Sequence, residues 1–198
     1  MTVIYSVIAI IIAYLIGSVS SAVIVCQAMQ LPDPRKNGSG NPGATNVLRI
    51  GGKFPALLTF IGDILKGIIP VVIGEFCGFS AMLVSFLLFA AIIGHLYPIF
   101  FKFKGGKGVA TFFGGLVVLH WPLGVAVLVT WFIVSLLTKI SSLAALVSVL
   151  LSLLYNIWMG VAAYYPALML IVIFIYWRHR GNIKRLIAGT EPRIGKKK

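Results

Sequence analysis

The stretch Gly94–Thr111, GHLYPIFFKFKGGKGVAT, joins two apolar runs through a short cationic hinge. One apolar helix ends there and another starts at Val109. Three lysines (Lys102, Lys104, Lys107) stand between them among three glycines (Gly105, Gly106, Gly108). A spanning run that stops in lysines and restarts at once is a chain turning around at a membrane surface. The glycines let backbone N–H groups approach an anion and Lys107 neutralises it. The helix from Val109 aims its first N–H groups at the same place. The spacing departs from GxxxxGK[ST], so this is not a nucleotide P-loop. Lys107 is the expected substrate contact, with Lys102 and Lys104 as membrane anchors. His95, just upstream, reads equally as a packing residue or a site residue.

Outward from this hinge the chain is apolar: 60% of its 198 residues are hydrophobic and only four are acidic (Asp33, Asp63, Glu75, Glu191). A soluble domain holds about 45–50% apolar residues. The composition therefore predicts one all-α integral membrane domain over residues 1–198, a multi-pass helical bundle. Seven runs qualify as segments: Val3–Met29, Phe54–Gly74, Ser80–Phe101, Val109–Leu119, Leu123–Thr138, Ser141–Gly160 and Tyr164–Trp177. The first lacks a basic leader and is too long for a signal h-region, so it reads as a retained span. With the N-terminus outside, the inner connections are Leu31–Lys53, Lys102–Gly108, the turn at Lys139 and the tail from Arg178. They hold every Lys and Arg except Lys66. That split favours seven crossings and a cytoplasmic C-terminus. Five crossings, with Val109–Leu119 and Leu123–Thr138 re-entrant, place both termini on the same sides.

The net charge of +13 lies mostly in these inner segments. It orients the chain and faces anionic headgroups. Nucleic-acid binding is disfavoured because the loops lack an aromatic platform for bases. Cys26 and Cys77 have no CxxC spacing and read as small packing residues. Metal and cofactor sites are not expected: no HExxH cluster exists, and four acids are too few.

Two further inner segments carry polar chemistry. In the first, Asn37–Asn46, consecutive N–H groups between glycines can converge on one anion. Ser39, Asn41, Thr45 and Asn46 add neutral hydrogen bonds, and Arg49 adds a forked cation. Gly38-x-Gly40-x-x-Gly43 matches a dinucleotide fingerprint, but no βαβ unit surrounds it. In the second, Arg178–Glu191, the apolar set Ile183, Leu186, Ile187 predicts a short interfacial helix with a basic face. His179 and Asn182 share a side of that helix. The terminal lysines Lys196–Lys198 read as lipid-attracting charge. Asp63 and Lys66, three apart inside a span, form either a structural ion pair or part of a site. Ser141 and Ser142 either cap a helix or contact substrate, and capping is the better reading.

Taken together, Ser39–Arg49 (SGNPGATNVLR), Gly94–Thr111 and Arg178–Leu186 (RHRGNIKRL) resemble the bacterial membrane glycerol-3-phosphate acyltransferases that use acyl phosphate, the PlsY family. Gly17-Ser18 and Gly62–Gly67 are also similar to family patterns. Ser20 stands where many members carry proline. The resemblance implies transfer of an acyl group from a fatty acyl phosphate to the 1-hydroxyl of sn-glycerol 3-phosphate. The products are lysophosphatidic acid and phosphate, formed at the cytoplasmic face of the bacterial inner membrane. It implies Ser39, Arg49, Lys107, His179 and Asn182 as the residues that bind and orient glycerol 3-phosphate. Gly40, Asn41, Gly43, Thr45, Asn46, Gly105, Gly106, Gly108 and Ser142 are further substrate-binding candidates, the amides from Gly40 to Asn46 holding the acyl phosphate. It also implies a functional link to the enzyme that makes acyl phosphate.

An acyl phosphate is already activated, so no acyl-enzyme is required. No GxSxG elbow is present. No His-x4-Asp pair exists either, since Phe100, Val125 and Lys184 follow the three histidines at that spacing. Direct transfer by positioning and charge neutralisation is the expectation, with His179 or a substrate phosphate as base. The rival readings are an anion transporter, for which no internal repeat is visible, and a lipid-binding scaffold, which needs no such Asn, Thr and Arg content.

Overall fold

The computed structural model describes residues 3–194, so the tail lysines lie outside the described residues. Among the described residues the chain is all helical. In order the helices are α1 (Val3–Gly17), α2 (Ser21–Ala28), α3 (Ala44–Gly51), α4 (Lys53–Phe76), α5 (Ala81–Leu96), α6 (Val109–Leu119), α7 (Trp121–Thr138), α8 (Ser141–Trp158), α9 (Tyr165–Arg178) and α10 (Arg180–Ile187). Five stretches are long and apolar enough to cross a membrane: Val3–Ala28, Lys53–Phe76, Ala81–Phe101, Trp121–Thr138 and Ser141–Trp158. Two shorter apolar helices, Val109–Leu119 and Ala162–Arg178, accompany them. Phe132, Leu136, Leu137, Leu154 and Trp158 face outward and exposed, a surface suited to lipid.

The first span is not the single helix its hydropathy predicts. It breaks between α1 and α2, where the Ser18 hydroxyl donates to the Tyr14 carbonyl at 2.8 Å. The Lys66 ammonium donates to the freed Val19 carbonyl at 3.0 Å. A broken helix is tolerated inside a membrane when other groups satisfy its open backbone, and Lys66 does that here.

Small residues set two close crossings. A Cβ on Gly94 of α5 would stand 2.7 Å from the Ser18 amide nitrogen, and one on Gly17 would run into the Ala91 carbonyl. A Cβ on Gly67 of α4 would run into the Thr111 carbonyl of α6 and reach 3.0 Å from the Gly115 nitrogen. Backbone therefore packs on backbone, as membrane helices do where dispersion replaces the hydrophobic effect. Gly67 at the α4–α6 crossing directly follows Lys66 and lies one turn from Asp63, so the crossing sits beside that pair.

α6 is short but enclosed: Thr111 through Leu116 and Leu119 are buried. Its far end reaches the α8–α9 connection, where the Tyr164 hydroxyl donates to the Leu119 carbonyl at 3.1 Å. Phe112, Leu116, Leu88, Ile92, Leu168 and Ile171 form the centre of the main core. At the opposite end the tail folds back, and the Ile194 N–H donates to the Lys139 carbonyl at 2.7 Å. The helix expected around Ile183–Ile187 is present as α10, with Ile187 strongly exposed.

Candidate active site

The three polar segments meet at Lys107. The first approaches the glycine loop closely: a Cβ on Gly106 would lie 2.9 Å from the Pro42 carbonyl and also meet the His95 ring. Arg49, Arg178, Arg185 and Glu191 are all near enough to act on the Lys107 charge. Burial lowers its pKa to about 8; Glu191 pushes it back up, while the three arginines push it down. A half-buried ammonium under the charges of three guanidiniums and one carboxylate has a surplus of positive charge suited to an anion.

The glycine loop is held from two sides. The Gly106 N–H donates to the His95 carbonyl at 3.1 Å. Arg178 donates from Nη2 to the Gly105 carbonyl at 2.6 Å and from Nε to the Gly106 carbonyl at 3.0 Å. Its guanidinium also lies 5.4 Å from the centre of the Tyr97 ring. Gly108 sits at φ +81° and starts α6 without a side-chain cap. The N–H groups of Lys107, Gly108, Val109 and Ala110 thus find no acceptor among the described residues. Lys102 and Lys104 are exposed at the helix end.

Beneath this loop lies a buried polar cluster. Lys66 Nζ stands 2.9 Å from Asp63 Oδ1, and His95 Nδ1 stands 3.6 Å from the same oxygen. Thr111 Oγ1 is 3.4 Å from His95 Nδ1. The ion pair visible in the sequence therefore includes His95, and links the α1–α2 break to the floor of the loop.

The first segment is built differently from its expectation. Asn46 is buried, and its side chain serves its own loop: Nδ2 donates to the Pro34 and Asn37 carbonyls, both at 2.9 Å, while Oδ1 accepts the Ser39 N–H at 2.8 Å. Gly38 and Gly40 take φ +64° and +70° to wind the chain round it. The N–H groups of Gly40, Gly43 and Asn46 are bonded within the segment. The loop leaves the N–H groups of Asn41, Ala44 and Thr45 without an acceptor among the described residues. It offers the exposed Ser39, the half-buried Asn41, and Thr45 with Arg49, one turn apart on the exposed face of α3. The loop is stapled at its entry by Arg35 on Asp33 at 2.7 Å, which holds the Asp33 carboxyl below its ordinary pKa.

The third segment places His179 and Asn182 together, both buried. The Ile175 carbonyl lies 2.8 Å from His179 Nδ1. A carbonyl only accepts, so Nδ1 carries the proton and Nε2 keeps its lone pair. Burial first, then the Lys107 charge, lowers the His179 pKa to about 4. Glu191 clasps three partners: the Ser142 hydroxyl at 2.7 Å, Asn182 Nδ2, and Arg185 Nε at 2.7 Å. Burial alone would raise its pKa, but those hydrogen bonds outweigh it and lower it. Ser142 is therefore not a cap, since Ile140 holds the cap position of α8 without a side-chain bond. Its hydroxyl is committed to Glu191 and ties the tail to α8. Sequence reasoning missed Arg178 and Glu191; the signal for Arg178 was its place beside His179 in a segment already full of charge.

A multi-pass helical membrane protein that gathers cations and glycine-loop amides at one face is of the class that handles phosphorylated substrates beside lipid. This chain belongs to the glycerol-3-phosphate acyltransferase family and is an acyltransferase: residues 7–189 match the family model described as Glycerol-3-phosphate acyltransferase. It is 51% identical over 187 residues to the glycerol-3-phosphate acyltransferase of Methylococcus capsulatus, covering 94% of each chain. It is similar to the crystal structure of PlsY (YgiH), an integral membrane glycerol 3-phosphate acyltransferase, in its glycerol 3-phosphate form. There the TM-score is 0.91 at 35% identity, covering 96% of each chain. The lysophosphatidic acid form of PlsY gives 0.88 at 34% identity.

Proposed function

We propose that this chain moves the acyl group of a fatty acyl phosphate to the 1-hydroxyl of sn-glycerol 3-phosphate, releasing 1-acyl-sn-glycerol 3-phosphate and phosphate. One observation carries this reading: the charges of Arg49, Arg178 and Arg185 all act on Lys107 against the single carboxylate of Glu191, a surplus that suits phosphate dianions. The glycerol 3-phosphate and lysophosphatidic acid bound in the PlsY structures support the acceptor and the product.

In this reading Lys107, Arg49 and the amides at the start of α6 hold phosphate and take up negative charge as the leaving group departs. Ser39 and Asn182 orient the acceptor. Nε2 of His179 orients the acceptor by accepting a hydrogen bond from its 2-hydroxyl, which leaves the proton of the 1-hydroxyl free to move. A base with a pKa of about 4 holds a proton poorly at neutral pH. The 1-hydroxyl proton therefore goes to an oxygen of the acyl phosphate. The 1-hydroxyl oxygen bonds to the acyl carbon, the bond from that carbon to the phosphate oxygen breaks, and phosphate leaves with its electron pair. No acyl-enzyme forms.

The whole chain acts as one domain, with seven crossings of the bacterial cytoplasmic membrane, the N-terminus outside and the site facing the cytoplasm. The bond from Tyr164 to Leu119 supports seven: it joins the end of α6 to the α8–α9 connection, on the side away from Lys139 and Ile194. Its donor comes from an acyl-phosphate-producing enzyme. The test is purified protein in detergent given acyl phosphate and radiolabelled glycerol 3-phosphate, with acyl-CoA in a parallel tube. Labelled lysophosphatidic acid with acyl phosphate alone is expected; none, or product with acyl-CoA alone, overturns the reading.

A further inference from the structure

We infer that Arg178 is a positioning residue for the reaction: its forked guanidinium fixes the 106–107 peptide so that the Lys107 N–H faces the substrate phosphate. The inference rests on the proposed reading that this loop holds a phosphate.

In a trans peptide the C=O and the N–H point in opposite directions. The Gly106 carbonyl accepts from Arg178 Nε at 3.0 Å. The N–H of that same peptide belongs to Lys107, so it points away from the guanidinium. The preceding peptide is pinned at both ends, its Gly105 carbonyl by Arg178 Nη2 at 2.6 Å and its Gly106 N–H by the His95 carbonyl at 3.1 Å. Such pinning is needed because glycine lets a peptide rotate with little steric cost. Rotation of the 106–107 peptide would turn a carbonyl oxygen toward the phosphate in place of a donor. Tyr97 supports the fork, with its ring 5.4 Å from the guanidinium and its carbonyl bonded by the Tyr14 hydroxyl at 2.9 Å. Because Arg178 directly precedes His179, the same contact sets the spacing between the loop and His179.

Lysine cannot bridge two carbonyls with a planar fork, although it keeps the charge. Initial rates for Arg178→Lys and Arg178→Ala, at varied concentrations of each substrate, separate orientation from charge. Both variants are expected to lose about 10²-fold in kcat/KM, the effect of misplacing one such donor. Free guanidinium is expected to restore part of the Arg178→Ala activity, and methylammonium none. Inorganic phosphate is expected to raise the melting temperature of the wild-type protein and of Lys102→Ala, but not of either Arg178 variant. Near-wild-type kcat/KM in Arg178→Lys, or equal rescue by methylammonium, would overturn the inference. Where Arg178→Ala is not recovered folded, Arg178→Lys decides alone. Lys107→Ala runs beside them: unchanged KM for both substrates in that variant sinks the phosphate-loop reading itself, whatever Arg178 does.

Discussion

Raising the pH should switch off substrate capture through one side chain. Lys107 has its pKa lowered to about 8, chiefly by burial. It is charged in about nine-tenths of free enzyme molecules at pH 7, about half at pH 8 and about a tenth at pH 9. The phosphate of the acceptor loses its second proton near pH 6, so it is already a dianion through this window. A lowered lysine pKa means the binding charge is present below it and lost as pH rises through it. kcat/KM for glycerol 3-phosphate should therefore fall about tenfold per pH unit above 8. A bound dianion stabilises the ammonium, so kcat should break at higher pH than kcat/KM, the two profiles reporting complex and free enzyme. Arginine does not titrate in this range; Lys107→Arg should start lower and lose the alkaline limb. The assay is initial-rate product formation in detergent from pH 6.5 to 9.5, corrected for spontaneous acyl phosphate hydrolysis. An identical alkaline limb in wild type and Lys107→Arg would refute the argument.

Other outcomes follow from the same contacts. His179→Gln, which keeps a hydrogen-bond acceptor, should raise KM for glycerol 3-phosphate and keep kcat within about tenfold; a kcat loss of about 10²–10⁴-fold would make His179 the base. Asp63→Ala leaves Lys66 buried without its partner and should cost about 3–5 kcal/mol of stability in detergent denaturation, with the double variant Asp63→Ala/Lys66→Ala recovering much of it; equal loss in single and double variants would deny the pairing. Gly67→Ala inserts a methyl against the Thr111 backbone and should cost about 1–3 kcal/mol, read as a lower melting temperature.

The helices were legible because a bilayer allows few alternatives: α6 begins and ends where hydropathy placed it. The break at Ser18 was not, since its open carbonyl is satisfied by Lys66, forty-seven positions away. Side chains with two possible uses were also illegible. Asn46 can serve a ligand or its own loop, and only the winding of Gly38 and Gly40 decides. Ser142 stands at a helix start, where capping is the local reading, yet Glu191 claims it from the tail. Arg178, at the inner end of an apolar helix, looks like any topogenic cation until the two glycine carbonyls are seen beside it.

The shortness of α6 bears on how two substrates of opposite solubility meet. Eleven residues rise about 16 Å, against a hydrocarbon core of about 30 Å. Trp121, 69% exposed just past its far end, suits an interface, and the proposed seven-crossing topology makes that interface the outer one. The missing length then falls on the lysine side. On the proposed topology the glycine loop lies below the plane of the inner headgroups, in a polar dimple. The water-soluble partner descends to the depth of the acyl carbonyl, and the fatty chain never has to leave oil.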